Sequence, residues 1–278
     1  MYMPGNKGLL GMDRTERKGS RRRRQPLFSI GGALVLLLLL IIAALVMNER
    51  QGEGAPSGLS HDLGKLWEWT DAAMLGGAAE SDWHLRWRLE TEDEDAFDEL
   101  AAGLFRDGQG GELAKIVTND GSSIQGQSPV YGGATLSIHR AEVSVQGVVL
   151  LVGLDRKGGG GLTLSELDRW ATAISEKVAA VSPTVVPSIK THGYTADRDV
   201  LQQLKRLAQA KEIDRYEDGG TSSVTMKSST LRLTQAMGPG QGHDANMQLA
   251  LHANTEREEA ELTIGIPLLT GEFGSLFE

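Results

Sequence analysis

The sequence predicts an α+β protein, an antiparallel sheet with helices packed on one side, following one N-terminal transmembrane helix. Three observations carry that reading. Strand-like alternation recurs, as where Trp83, Leu85, Trp87 and Leu89 interleave with His84, Arg86, Arg88 and Glu90. Helical stretches, with apolar residues three and four apart, stand beside groups of strands rather than between single ones. Leu27 to Met47 is a run of 21 residues without a charge, long enough at about 1.5 Å per residue to cross a hydrocarbon core.

That run divides the chain. Residues 1–26 hold eight positive and two negative side chains, Arg21 to Arg24 among them. A basic flank stays cytoplasmic, so the expected order is a cytoplasmic tail (1–26), an anchor (27–47) and an outward part. A secretory signal has a shorter apolar region and a small-x-small cleavage site. Here the run is followed by Asn48, Glu49 and Arg50, so an uncleaved single-pass anchor in the cell membrane is expected. The alternative is a secreted form beginning near residues 48–58. Residues 48–59, rich in Gly, Pro and Ser, read as a flexible linker. Residues 60–278 read as the extracytoplasmic α+β domain.

Within that domain, Leu59, Leu63, Leu66, Thr70 and Ala73 fall at helical spacing, predicting a helix over 60–75 that Gly76-Gly77 stops. The strand with Trp83 and Trp87 follows, then a helix carrying Phe97, Leu100, Ala101, Leu104 and Phe105. Strands are predicted at 115–118, 136–145 and 147–154, separated by Asn119-Asp120-Gly121 and Gly132-Gly133 turns. Thr163-x-x-Glu166 is a capping box opening a helix with Leu167, Trp170, Ile174 and Val178 on one face. Pro183 and Pro187 end it and predict an edge segment at 184–191. A further helix starts at Asp197, with Val200, Leu201, Leu204 and Leu207 inward, and closes before Gly219-Gly220. Strands at 222–227, 229–235, 246–253 and 260–269 complete the chain, with Gly238 to Gly242 as a loop. Leu262, Ile264, Ile266 and Leu268 share a core face, Pro267 belongs at an edge, bulge or strand end, and Glu272 is solvated. The sections 81–182 and 184–269 repeat their elements loosely enough to allow a degenerate duplication, with no residue-level repeat visible.

Composition narrows the chemistry. The 278 residues carry 28 Lys plus Arg, 37 Asp plus Glu and no cysteine. Disulfides, thiolate metal sites and cysteine nucleophiles are thereby excluded. Residues 48–278 have a net charge of −15, which opposes nucleic acid as a partner, because phosphate binding rests on Lys and Arg. Asp155 to Glu166 has the length and end residues of a calcium loop, but Lys157 and Gly159 stand where oxygen ligands are required. Its glycines match no phosphate-binding pattern. His61, His84, His139, His192, His243 and His252 form no metal-binding spacing. His84 and His139 are expected as solvated imidazoles on polar strand faces. Trp67 and Trp69 cannot both face inward on one helix. The acidic run Glu90 to Asp95 reads as a solvated helix start. The sequence therefore assigns no catalytic, cofactor-binding or metal residues and implies no cofactor.

Trp83-His84-Leu85, Asn246 to Leu251, and above all Leu262-Thr263-Ile264-Gly265-Ile266-Pro267-Leu268-Leu269-Thr270-Gly271-Glu272-Phe273 resemble the YwmB-like proteins. These are envelope proteins of spore-forming Gram-positive bacteria with a TATA-box-binding-protein-like fold. Ile266 stands where Thr is usual and Phe273 replaces Tyr. The resemblance implies a curved antiparallel sheet carrying helices, and no catalytic residues. Two classes of function follow. One is a non-catalytic binding or scaffold module holding an unknown envelope protein or polymer. The other is an envelope enzyme acting on cell-wall material through carboxylates that spacing does not reveal. A shallow apolar face would favour the first, and a deep pocket with two facing carboxylates the second.

Overall fold

A computed structural model describes residues 55–141, 147–236, 244–253 and 258–267. The basic tail, Leu27 to Met47, the loop Gly238 to Gly242, His243, and Leu268 to Phe273 lie outside the described residues. Helix α1 (Ala55–Ala73) is followed by strand β1 (Asp82–Thr91), helix α2 (Ala96–Leu104) and strands β2 (Ile116–Thr118), β3 (Ser123–Ser128), β4 (Ala134–Arg140) and β5 (Val148–Arg156). Helix α3 (Leu164–Val181) leads to β6 (Val185–Thr195), helix α4 (Val200–Leu207), β7 (Ala210–Asp218) and β8 (Thr221–Ser228). A small ribbon of β9 (Gln235–Ala236) and β10 (Asp244–Ala245) precedes β11 (Met247–Ala253) and β12 (Ala260–Ile266).

Ten strands form one antiparallel sheet in the order β2-β3-β4-β5-β1-β6-β12-β11-β8-β7. Read outward from the central pair β1–β6, the two halves follow the same path: β1, β5, β4, β3, β2 on one side and β6, β12, β11, β8, β7 on the other. The repeated unit is α-β-α-β-β-β-β, residues 55–156 and 164–266, so each unit begins with the helix before its central strand. The helices touch in the order α2, α3, α1, α4, over β4, β1, β6 and β7 respectively. They form one layer on one face of the sheet.

That layer explains the alternation in β1. Trp83, Leu85, Trp87 and Leu89 are fully buried beneath helices, while His84, Arg86, Arg88 and Glu90 take the opposite face. Both central indoles find acceptors: Trp83 Nε1 donates to Ala78 O at 2.8 Å and Trp87 Nε1 to Ser175 Oγ at 2.9 Å. The expectation that Trp67 and Trp69 cannot both face inward is corrected: Trp69 is buried, and Trp67 also packs on the core, stacked on Trp83 with centroids 5.3 Å apart. Thr163 and Glu166 make the expected capping box of α3. Leu262, Ile264 and Ile266 are fully buried together, and Pro267 follows the end of β12.

Several expectations are corrected. The first helix begins at Ala55, so residues 55–59 of the expected linker are helical; Pro56 fits because a helix's first turn needs no backbone donor there. The segment predicted as an edge, 184–191, falls from residue 185 onward within β6, at the centre of the sheet. Pro187 is accommodated because pairing to β12 stops at Ile189, leaving Pro187 paired only with Trp87 of β1. Helix α4 stops at Leu207, which is exposed, because Gln209 takes a left-handed φ of 47°. The charged stretch after it, Ala210–Asp218, is an edge strand rather than helix; its Lys, Asp and Glu side chains protect that edge. Residues 229–234 are not a strand. β3, whose Ser, Gln and Gly hide the alternation, was not expected; at Gly126 a Cβ would lie 2.6 Å from Ala114 O.

Candidate functional site

The sheet face on which none of the described helices packs, the helix-free face, is where the two units meet with polar chemistry. Across its centre the register sets Asp155 of β5 beside His84 of β1, and His84 beside Lys190 of β6. One row away stand Ser137, Gly153, Arg86 and Ser188. His84 Nδ1 lies 2.6 Å from Asp155 Oδ1, and Arg86 Nη2 reaches the same carboxylate at 2.8 and 3.0 Å. These side chains are largely shielded, Arg86 12 % exposed and His84 and Asp155 17 % each.

Charge states follow from the surroundings. Burial lowers the pKa of His84 from 6.5, outweighing the pull of Asp155 in the other direction, and Lys190 and Arg86 lower it further. Burial pushes Asp155 up, but the His84 hydrogen bond and the Arg86 charge bring its carboxyl below the usual value. The pair is thus carboxylate and neutral imidazole, with Nδ1–H donating to Asp155. Burial also lowers Lys190, with Arg86 adding repulsion and Asp155 opposing it. His139 sits on β4 with Nδ1 2.9 Å from Ser123 Oγ, its pKa lowered mainly by burial. The solvated imidazoles expected from strand polarity are therefore corrected. Neighbouring side chains on a sheet face shield one another, and cross-strand partners come from residues 71 and 16 positions away.

The glycine-rich loop has a structural use. Asp82 at the start of β1 accepts the Gly158 N–H at 2.7 Å and pairs with Lys157 at 2.8 Å. A Cβ on Gly158 would lie 1.9 Å from Glu80 O, so the loop is pressed against the chain entering β1. Asp155 and Glu166, the ends of the apparent calcium loop, are engaged by His84 with Arg86 and by the helix cap. Among the described residues no group of three or more His, Asp or Glu is arranged to hold a metal.

The arrangement also repeats between units. Arg86 faces Gly153 across the β1–β5 ladder, and Lys190 faces Gly265 across β6–β12. Matching these two pairs brings Leu85 onto Ile189, Val152 onto Ile264 and Leu154 onto Ile266, all fully buried. Leu-Val-Gly-Leu at 151–154 thus corresponds to Thr-Ile-Gly-Ile at 263–266. The repeat is invisible in a direct alignment because the helices, turns and β9–β10 insertion between these matches differ in length.

No protein-family model and no curated protein matches this chain.

Chemically, the cluster can hold charge in place better than it can turn over a bond. Among the described residues His84 hydrogen-bonds to Asp155 and to no hydroxyl that could serve as a nucleophile. Among the described residues, two of the clefts combine apolar and charged walls, and both lie away from the cluster. One of about 340 Å³ is bounded by Phe105, Arg106, Glu112, Lys115 and Ile124, and one of about 330 Å³ by Asp197, Arg198, Leu251, Glu258 and Glu259. Neither includes a residue of the central cluster.

Proposed function

We propose that this chain is a membrane-anchored, non-catalytic binding module of the cell envelope, recognising an envelope protein or polymer through the helix-free sheet face. The observation that carries this reading is the His84–Asp155–Arg86–Lys190 cluster at the centre of a face on which no described helix packs; that centre is polar rather than the apolar face expected of a binder, so the recognition it offers is by charge and hydrogen bond. The α-β-α-β-β-β-β order, given twice, supports a TATA-box-binding-protein-like arrangement. The YwmB-like resemblance rests on the sequence motifs alone, and the Leu268 to Phe273 part of its main motif lies outside the described residues. Nucleic acid is opposed by the −15 charge of residues 48–278. Among the described residues no helix is long and apolar enough to cross a membrane, so the reading gives anchoring to Leu27 to Met47 and outward orientation to Arg21 to Arg24.

A chain without cysteine permits single-cysteine probes. Val186→Cys places one at an exposed site on the helix-free face, and Glu176→Cys one on α3. A membrane-impermeant maleimide should label both in intact cells, and neither an Asn6→Cys variant. A benzophenone at position 186, and not at 176, should give discrete photo-adducts in those cells. Labelling of Asn6→Cys alone, recovery of a soluble form beginning near residues 48–58, or adducts confined to position 176 would refute the reading.

A further inference from the structure

We infer that Asp120-Gly121, at the tip joining β2 to β3, is a self-modification site where the chain converts to isoaspartate through a cyclic imide. The reaction needs only water. The Gly121 backbone nitrogen attacks Asp120 Cγ; the N–Cγ bond forms, the carboxyl C–OH bond breaks, and that hydroxyl leaves as water with the amide proton. Water then reopens the ring. Cleavage of the bond from nitrogen to Cγ restores aspartate. Cleavage of the bond from nitrogen to the Asp120 main-chain carbonyl carbon leaves the chain running through Cβ. Charge is unchanged, since the freed α-carboxylate replaces that of the side chain.

The sequence offers three such dipeptides, Asp107-Gly108, Asp120-Gly121 and Asp218-Gly219, because glycine has no side chain to hinder ring closure at its nitrogen. The structure separates them. Asp107 Oδ1 accepts the Gln109 N–H at 2.9 Å and the Gly111 N–H at 2.7 Å, and the Asp107 N–H donates to Gly111 O at 2.8 Å. Asp218 Oδ2 accepts the Tyr216 hydroxyl at 3.1 Å, and Asp218 is paired with Thr221 in the β7–β8 ladder. Both carboxyls must leave partners before they can reach a backbone nitrogen. Asp120 is exposed, and among the described residues its carboxyl has no hydrogen-bond or ion-pair partner.

The backbone favours the same site. Asn119 and Asp120 take left-handed φ values of 53° and 52°, and Gly121 follows at 90°. Crowding of Cβ against a backbone carbonyl makes that region rare for L residues. A residue linked through Cβ escapes it, so this turn does not resist the product as a strand or helix interior would. A Cβ on Gly121 would meet nothing within 4 Å, which leaves room for the ring and for the attacking water. The tip is also lightly held, because β2 is an end strand of the sheet and pairs with β3 only from Ile116 to Thr118. The consequence reaches the helix-free face. Asn119 Nδ2 donates to Ser123 Oγ at 3.1 Å, and that hydroxyl lies 2.9 Å from His139 Nδ1. An extra main-chain carbon beside Asn119 displaces the first link.

Ageing the full chain in nanodiscs, in heavy-oxygen water at physiological temperature and pH, followed by peptide mapping, tests the site. Isoaspartate and heavy oxygen should accumulate at residue 120 at least about tenfold faster than at 107 or 218, where a carboxylate must first give up a hydrogen bond. In urea the three rates should converge. Asp120→Asn should close the same ring with loss of ammonia and give the same two products, whereas Asp120→Glu, which needs a larger ring, should stop conversion there. Conversion led by residue 107 or 218, equal rates at all three sites in the folded chain, or no conversion at 120 while the urea-unfolded chain converts there would overturn the inference. Unchanged labelling at that position in Asp120→Glu would do the same.

Discussion

Asp62 on α1 clasps the backbone of Arg232, 170 positions later in the chain. Its fully buried carboxylate accepts the Arg232 N–H at 2.9 and 3.1 Å and the Leu233 N–H at 2.7 Å, with His61 Nδ1 at 2.9 Å. This explains why residues 229–234 form no strand: those amides are satisfied by a side chain rather than by a ladder. Asp62→Ala strands them together and should destabilise the fold by at least about 1–3 kcal/mol. Asp62→Asn should cost less, because one acceptor oxygen remains. Chemical denaturation of the two variants checks the order.

Gly158→Ala should destabilise although its backbone dihedrals suit any residue. The added methyl meets the backbone oxygen of Glu80 at 1.9 Å, and backbone cannot yield as a flexible side chain would. Overpacking of this kind costs about 1–3 kcal/mol. Gly161→Ala meets nothing within 4 Å but sits at a φ of 68°, so its effect should be the smaller strain term of a non-glycine residue there. Equal melts for wild type and Gly158→Ala would show that the loop is not pressed against β1.

Ile264→Asp should abolish cooperative melting, because it places a carboxylate at a fully buried central position. Thr263→Asp, one residue earlier on the helix-free face, should melt cooperatively. Normal melting of Ile264→Asp would place β12 outside the core.

Stability should fall as pH drops below about 6.5. His84 and His139 both have folded pKa values below 6.5, so between that value and their folded pKa the unfolded chain binds more protons. Their contribution is complete above 6.5 and is lost as pH falls through the folded values. The lowered carboxyls of Asp82 and Asp155 add a second loss, below the ordinary aspartate value of 3.8. Melting temperatures from pH 8 to pH 5 should decline, and a His84→Gln/His139→Gln variant should flatten that decline. A profile unchanged by the double substitution would contradict the assignment of neutral imidazoles.

Duplex DNA should not bind residues 48–278 at physiological salt. The excess of 15 negative charges opposes the counterion release that drives such binding. A salt-sensitive gel shift tighter than micromolar would overturn this.

Fold class and much of the buried set are written in local patterns. Period two in Trp83 to Leu89 and Leu262 to Ile266, helical spacing in Leu59 to Ala73 and Phe97 to Leu104, and the Thr163–Glu166 cap all act within a few residues, so they are legible locally. Which strands are central depends on contacts between distant segments. Pro187 reads as an edge signal, yet β6 is central because β12 ends before reaching it. The charged stretch 210–218 reads as helix, yet it seals an edge. The polar cluster was equally hidden. His84, Asp155 and Lys190 are ordinary titratable groups in sequence, separated by up to about a hundred positions, and their pKa values shift only when β5, β1 and β6 align them beside Arg86. Register across strands is set by packing of the opposite, apolar face against the helices, and that is a property of the whole assembly rather than of any one segment.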